Sequence, residues 1–239
     1  MNSMPTWLVL ACRIILLVLI PVVLTLTNVR LLLTHAFPQI EYSLPGFPDD
    51  PYGFTKEERL HWSRIAVDYL LNDAGIEFLG NLRFPEGQTA PPESCQYYLD
   101  GDCNRLYNDR ELRHMSDVKR VTRGALIVWA VGAGLCVLSA GLLYYTGHKA
   151  ALRAGLLGGA GLTALILLGI VVYLLMSFNL FFTQFHQVFF EGDTWLFLWS
   201  DTLIRLFPTR FWQDTFIFVG GGAILEALLL GAWAWYGLK

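Results

Sequence analysis

Four stretches of the chain, about residues 14–33, 124–145, 155–176 and 216–235, are long and apolar enough to cross a bilayer, which takes about 20 residues of helix each. In hydrocarbon every backbone N–H and C=O must be satisfied within the protein, and a continuous apolar run achieves that as an α-helix. The expected fold class is therefore all-α integral membrane. Residues 1–239 are read as a single membrane domain of four transmembrane helices, with a long extracytoplasmic loop over 34–123 and an interfacial aromatic segment over 177–215. Only 15% of the residues are charged and 54% are hydrophobic, against about 25% charged in a soluble domain. That excludes a soluble globular enzyme and a disordered chain. The net charge of −3 offers no basic surface for nucleic acid.

Four crossings put both chain ends on one side, together with the short connection that carries His148, Lys149 and Arg153. Lys149, Arg153 and Lys239 share that face, and the positive-inside rule assigns it to the cytoplasm. The first stretch holds Arg13 near one end, where a guanidinium can snorkel, and Pro21 inside, where a kink is expected. A cleaved signal peptide is the competing reading of this stretch. No Lys or Arg precedes Arg13, the apolar run is too long, and no small-residue cleavage site follows. Gly155 and Gly159, and the run Gly220, Gly221 and Gly222, are read as close helix packing. No internal repeat supports an inverted-repeat transporter.

Acids outnumber bases in the outer loop, which opens with a Pro- and Gly-rich, irregular stretch (Pro38, Pro45, Gly46, Pro48, Pro51, Gly53). Thr55 and Glu58 have capping-box spacing, and Leu60, Trp62, Ile65, Ala66, Tyr69 and Leu70 follow at helical spacing. This predicts a helix over 56–71 with its apolar face on the membrane surface or on the bundle. Cys95 and Cys103 lie in a looser stretch with Pro91, Pro92 and Gly101. A disulfide is expected there, stapling a loop with little core of its own. The alternative is metal binding, but two cysteines without a nearby histidine make a poor site. Cys12 and Cys136, in or beside the spans, read as small apolar filler.

Two polar segments carry chemistry. In Asn108–Lys119, Asn108 caps a helix with Glu111 three residues on, and no breaker separates this helix from the second span. Glu111, His114 and Asp117 recur at three-residue steps, so two carboxylates bracket an imidazole on one face. A neighbouring carboxylate raises a histidine's pKa and fixes its tautomer, although a solvated, salt-bridged helix has the same pattern. The second segment runs from Phe178 through His186, Asp193, Trp195, Trp199, Asp201 and Arg205 to Trp212. Its aromatics favour the headgroup region. Burial there keeps His186 neutral, as a general base needs. His114 precedes the second span and His186 follows the third, so both face the outer boundary. His35 and His61 lie outside without comparable settings, and His148 is on the opposite face. Glu226 is the carboxylate deep in a span, which marks a functional candidate by default.

The segments Glu111-Leu112-Arg113-His114-Met115-Ser116-Asp117-Val118-Lys119 and Phe185-His186-Gln187-Val188-Phe189-Phe190 through Trp195, with Leu203-Ile204-Arg205-Leu206-Phe207-Pro208 downstream, resemble the bacterial lipoprotein intramolecular transacylases. The likeness covers most of the chain in layout and is specific in those motifs. It implies a multi-pass protein of the bacterial cytoplasmic membrane with its active site at the outer face. It implies an O-to-N acyl transfer, in which the sn-2 acyl chain of an S-diacylglyceryl-cysteine moves to the cysteine α-amine and leaves a lyso-form lipoprotein. The implied substrate is a diacylglyceryl-modified lipoprotein, with membrane phospholipid as neighbour and no cofactor or metal. His114 and His186 match the family's two functional histidines. Glu111 or Asp117 would orient His114; Asp193, Asp201 and Arg205 are polar groups near the outer face that could meet a headgroup or peptide backbone, with Trp195 a further supporting residue.

Two other readings follow from the residues. A metal-dependent membrane hydrolase would use His114, His186 and a carboxylate as ligands, without a histidine pair at helical ligand spacing. A scaffold or small transporter would use Glu226 in the bundle.

Overall fold

The computed structural model describes residues 4–238, so Lys239, one of the cations assigned to the cytoplasmic face, lies outside the described residues. The elements in chain order are α1 (Thr6–Leu32), α2 (Ala36–Glu41), α3 (Lys56–Leu71), α4 (Glu77–Gly80), α5 (Pro92–Cys95), α6 (Asp109–Tyr145), α7 (Lys149–Met176), α8 (Phe178–Phe189), α9 (Thr202–Leu206) and α10 (Thr209–Gly237). The described residues contain no strand, only an isolated bridge between Arg83 and Arg105. The fold is all-α, and α1, α6, α7 and α10 are each long and apolar enough to cross a membrane.

The four long helices outrun the apolar stretches that mark them. α1 starts at Thr6, not near Ile14, which places Arg13 inside the helix. It continues through Pro21. α7 begins six residues before Gly155, and α10 begins at Thr209, directly after Pro208. Hydropathy locates hydrocarbon-facing residues, whereas a helix continues until its backbone meets a cap or a breaker. α6 is one helix from Asp109 to Tyr145, and its apolar residues lie mainly from about 124 onward. Its first four turns are the polar segment holding His114.

The chain forms two compact units. The first contains the described residues up to Arg30, Ala125–Phe178, and those from Phe216. Here Cys12, Leu16 and Ile20 of α1 pack with Leu152 and Leu156 of α7, Leu143 of α6 and Ala234 of α10. A Cβ on Gly159 would sit 2.8 Å from both the Leu16 carbonyl and the Ile20 Cβ, and one on Gly155 would sit 3.1 Å from Leu16. These glycines therefore let α1 and α7 approach backbone to side chain. In the run 220–222 only Gly222 meets a neighbour, Asn28 of α1. Val137, Leu175, Trp7 and Tyr236 stand well exposed, a surface that only lipid covers at low cost.

The second unit contains Leu31–Gly124 and Asn179–Thr215, and here the structure corrects an expectation. Residues 34–123 share a substantial core with the later aromatic segment: Phe54, Ala66, Tyr69, Leu79, Phe84, Tyr98, Leu106, Tyr107, Leu203 and Leu206 are all buried in one cluster. α3 turns Ala66 and Tyr69 into that core, not onto a membrane surface. Its N-terminus has the full capping box: the Glu58 amide donates to Thr55 Oγ1 at 3.1 Å and the Thr55 amide to Glu58 Oε2 at 2.8 Å. A second cluster joins Phe37, Tyr42 and Phe211, with the Tyr42 hydroxyl donating to the Leu206 carbonyl at 2.8 Å. A disulfide joins Cys95 to Cys103, whose Cα atoms are 5.4 Å apart. The neighbouring Ser94 hydroxyl, fully buried, donates to Ser200 Oγ at 2.8 Å. Aromatic rings compensate for the irregular chain of 81–108, since large rings fill a core that regular elements leave uneven.

Candidate active site

His114 and His186 meet inside the second unit. Both are buried, 8% and 7% exposed. Their ring centroids are 6.2 Å apart and the rings lie 22° from parallel. Aromatic side chains wall them in: Phe190 and Phe197 stand edge-on to His114 at 4.8 and 5.2 Å, while Phe182 and Trp195 lie 4.1 and 5.1 Å from His186. Phe190 touches both histidines, being 5.6 Å from His186.

α8 orients His186 with its own backbone. The ring Nδ1 lies 2.7 Å from the carbonyl of Phe182, one turn earlier. A carbonyl can only accept, so Nδ1 carries the proton and Nε2 keeps its lone pair. The His114 Nδ1 is buried with no hydrogen-bond partner, an arrangement that costs stability and is found where a ligand supplies the missing bond. Burial pushes His114 down to about 4, the adjacent His186 adds to this, and Asp117 opposes it. Burial also lowers His186, against the Phe182 carbonyl, which raises it. Both rings are therefore neutral at pH 7.

The carboxylates expected to bracket His114 do other work. Glu111, 0% exposed, accepts the amides of Asn108 at 2.9 Å and Leu203 at 2.6 Å, one with each oxygen. Asn108 Oδ1 in return accepts the amides of Arg110 and Glu111, which completes a capping box on α6. Glu111 thus ties the start of α6 to the start of α9, one turn before His114. Burial, then the Asp201 carboxylate, push Glu111 up to about 8. Asp117 pairs with Arg120 on the same helix and reaches His114 only through its charge. The expectation that a carboxylate would raise His114 gives way to desolvation, the larger effect here.

Asp201 and Arg205 are also buried supports. Asp201 accepts from Asn108 Nδ2 at 2.9 Å, from Arg110 at 2.6 Å and from the Leu198 amide at 2.8 Å. Arg110 in turn lies over the Tyr97 ring at 3.9 Å. Arg205 is paired with Asp50 at 2.9 Å, both side chains being almost wholly buried, and its guanidinium stacks 3.6 Å from the Phe54 centroid. It is spent on the fold and does not reach out to a headgroup. Asp193 is exposed in the loop before Trp195, whose indole N–H donates to the Gly192 carbonyl at 3.1 Å.

The remaining candidates have partners of their own. His35 Nε2 pairs with Asp68 at 2.6 Å, half exposed, and His61 packs against Trp62. Within the first unit Glu226 has a partner that sequence reading missed, Asn28, whose Nδ2 donates to Oε2 at 3.1 Å. Among the described residues no group of three or more His, Cys, Asp or Glu side chains is placed to hold a metal ion. Sequence reasoning also missed Asp50, which joins Arg205 across 155 positions; no local pattern connects two such residues. Phe190 and Phe197 could have been found from the aromatic density around His186.

A family model described as lipoprotein intramolecular transacylase Lit matches residues 13–212. An uncharacterised protein of Aquifex aeolicus (strain VF5) is 29% identical over 224 residues, covering 91% of this chain and 90% of its own length. Among solved structures, the membrane integral lipoprotein intramolecular transacylase Lit from Bacillus cereus superposes with a TM-score of 0.76 at 15% identity, over 97% of this chain and 96% of that one. A variant of the same protein with a histidine replaced by alanine superposes with a TM-score of 0.62, over 95% and 92%.

Proposed function

Since the chain belongs to the lipoprotein intramolecular transacylase family, we propose that it moves the sn-2 acyl chain of an S-diacylglyceryl-cysteine onto the cysteine α-amine, using His186 as base and His114 as its electrophilic partner. The observation that carries this reading is the pair of buried, neutral imidazoles 6.2 Å apart, one with its tautomer pinned so that Nε2 is basic.

The chemistry needs little more. An α-amine has a pKa of about 8, so a usable share is uncharged near neutrality, and the amine and ester belong to one molecule. Holding them in attack geometry is then the main task, and oriented intramolecular attack is worth up to about 7–11 kcal/mol. As nitrogen adds to the ester carbonyl, His186 Nε2 takes a proton from the amine. A neutral His114 ring N–H stabilises the oxyanion in a site from which the aromatic wall excludes water. On collapse the C–O bond to the glyceryl sn-2 oxygen breaks, and His186 returns its proton to that oxygen. The products are an amide and a free glyceryl hydroxyl, with no net proton gained or lost by the protein. Glu111 and Asp201 are positioning residues, because they hold the turn from which His114 projects. Trp195, against His186, and the exposed Asp193 are the groups that would meet the peptide beyond the modified cysteine.

The site is assigned to the outer face. α6 carries His114 near its start, and its end leads into the Lys149–Arg153 segment; these cations favour the cytoplasmic side.

The test is mass spectrometry of a reporter lipoprotein's N-terminal peptide, produced with this protein in a host lacking other N-acylation. Wild type should give the lyso form with an N-acyl group. His114→Ala and His186→Ala at matched folded levels should each lose about 100- to 10,000-fold, the usual worth of a positioned acid–base group. A peptide that stays diacylated with a free amine beside folded wild-type protein would overturn the substrate assignment.

A further inference from the structure

The first unit contains a feature that the histidine chemistry does not use. A cavity of about 470 Å³ lies between α1, α6, α7 and α10, lined among others by Leu16, Ile20, Ala140, Tyr144, Leu156 and Trp233. Its walls are almost entirely apolar. Tyr144 and Trp233 are half exposed and the nearby Val137 more so, so it opens sideways from the bundle. Packed protein interiors leave few voids of this size, and in hydrocarbon the filler at hand is an acyl chain.

Cations stand at one end of this groove. Lys149 begins α7, and its ammonium lies 5.6 Å from the ring of Tyr144, a groove-lining residue. Arg153, one turn on, lies 4.5 Å from the Trp235 ring. Arg13 of α1 is exposed, and its carbonyl is 3.4 Å from where a Gly155 Cβ would stand, which sets it at the level of Arg153. None of the three has a carboxylate partner among the described residues. The sequence explains why: no acid precedes Glu41, and none occurs between Asp117 and Glu191. Three cations without counter-charge, beside an apolar groove that ends on aromatic rings, are complementary to an anionic headgroup with its tails attached.

We propose that this groove binds one anionic phospholipid, its tail between α1, α6 and α10 and its phosphate held by Lys149, Arg153 and Arg13. Tails alone give no preference, because a lipid tail exchanges one apolar surrounding for another. Selection rests on charge, and basic pockets between membrane helices act in this way. The lipid is a resident of the bundle, not the reacting substrate, so the inference does not depend on the histidine mechanism.

The experiment is native mass spectrometry of the intact protein in detergent, titrated with phosphatidylglycerol or with phosphatidylethanolamine of the same acyl chains. One phosphatidylglycerol should be retained at concentrations where phosphatidylethanolamine is lost. Lys149→Ser and Arg153→Ser should each weaken retention roughly fivefold, the worth of one cation at a membrane surface. Lys56→Ser, an exposed cation of the other unit, should leave it unchanged. Ala140→Leu, which fills the groove without touching charge, should also lower retention, with thermal unfolding used to confirm that each variant is folded. Equal retention of the two lipids, or equal loss with Lys56→Ser, overturns the proposal. If Ala140→Leu retains lipid fully, or if glycerol phosphate without tails displaces it, a surface anion site replaces the groove.

Discussion

The Asp50–Arg205 pair gives the most exacting test of how the candidate site is held. The two side chains are 0% and 3% exposed. Arg205 Nε and a terminal nitrogen donate to Asp50 Oδ2 at 3.1 and 2.9 Å, Nε also reaches Oδ1 at 3.3 Å, and beyond this carboxylate the terminal nitrogen donates to the Tyr52 carbonyl at 3.3 Å. In Asp50→Ala the guanidinium keeps that carbonyl and the Phe54 ring but loses its counter-charge. Stranding one partner of a buried pair costs about 3–5 kcal/mol. The Phe54 amide, which donates to Asp50 Oδ2 at 2.7 Å, adds roughly 1 kcal/mol. At about 2–4 °C per kcal/mol for a chain of this size, the melting temperature in detergent should fall on the order of 10 °C. Asp50→Ala combined with Arg205→Met removes the stranded charge and refills the space beside Phe54. It should regain most of the loss, leaving the cost of the Phe54 amide. Because Arg205 lies two residues after the Leu203 amide that holds Glu111, acyl transfer should fall with Asp50→Ala and recover with the double variant. A single variant within 2 °C of wild type, or a double variant no better than the single, would refute the reasoning.

Acid should weaken the protein through His114. Its folded-state pKa of about 4 lies below the ordinary 6.5, so the unfolded chain binds the proton first as pH falls. Stability is then lost from about pH 6.5 down to 4, by about 3 kcal/mol; urea unfolding at stepped pH should show a slope that flattens in His114→Leu. Because both histidines are already neutral at pH 7, the acid limb of the acyl-transfer pH profile should follow the substrate amine, at about pH 8, as read by lyso-product formation in buffered membranes. Glu111→Ala opens the α6 cap and leaves the Leu203 amide unpaired, at about 3 kcal/mol; hydrogen exchange should show early opening at residues 108–112. Gly159→Leu should separate α1 from α7 and cost about 1–3 kcal/mol, read as a lower melting temperature, whereas Gly161→Leu, with nothing within 4 Å of its Cβ position, should be nearly neutral.

The membrane architecture was legible because hydrophobicity over twenty residues is a one-dimensional signal. Local capping was legible for the same reason: Thr55 with Glu58 and Asn108 with Glu111 act within a single turn. The histidine pair was legible through the motif resemblance, not through spacing, since 72 positions separate the two rings. What stayed hidden was the disposition of charge in three dimensions. Glu111 lies on the expected face of α6, yet its carboxylate turns to the Leu203 amide of α9 and the Asn108 amide. Arg205 reads as a surface cation until Asp50, far back in the chain, is seen to neutralise it. The core that the outer loop shares with the aromatic segment was missed because its aromatic members, such as Phe54, Phe84 and Tyr98, come from segments with no helical or strand period.

The knots around Glu111 and Asp201 also bear on how the enzyme is born. They join residues 92 and 93 positions apart, and Arg205 waits for a partner made 155 residues earlier. A ribosome must therefore have passed the third span and the aromatic segment before the first turn of α6 has anything to hold it. Until then His114 hangs from an untethered helix end. The two imidazoles therefore come together only after the third long helix has been made.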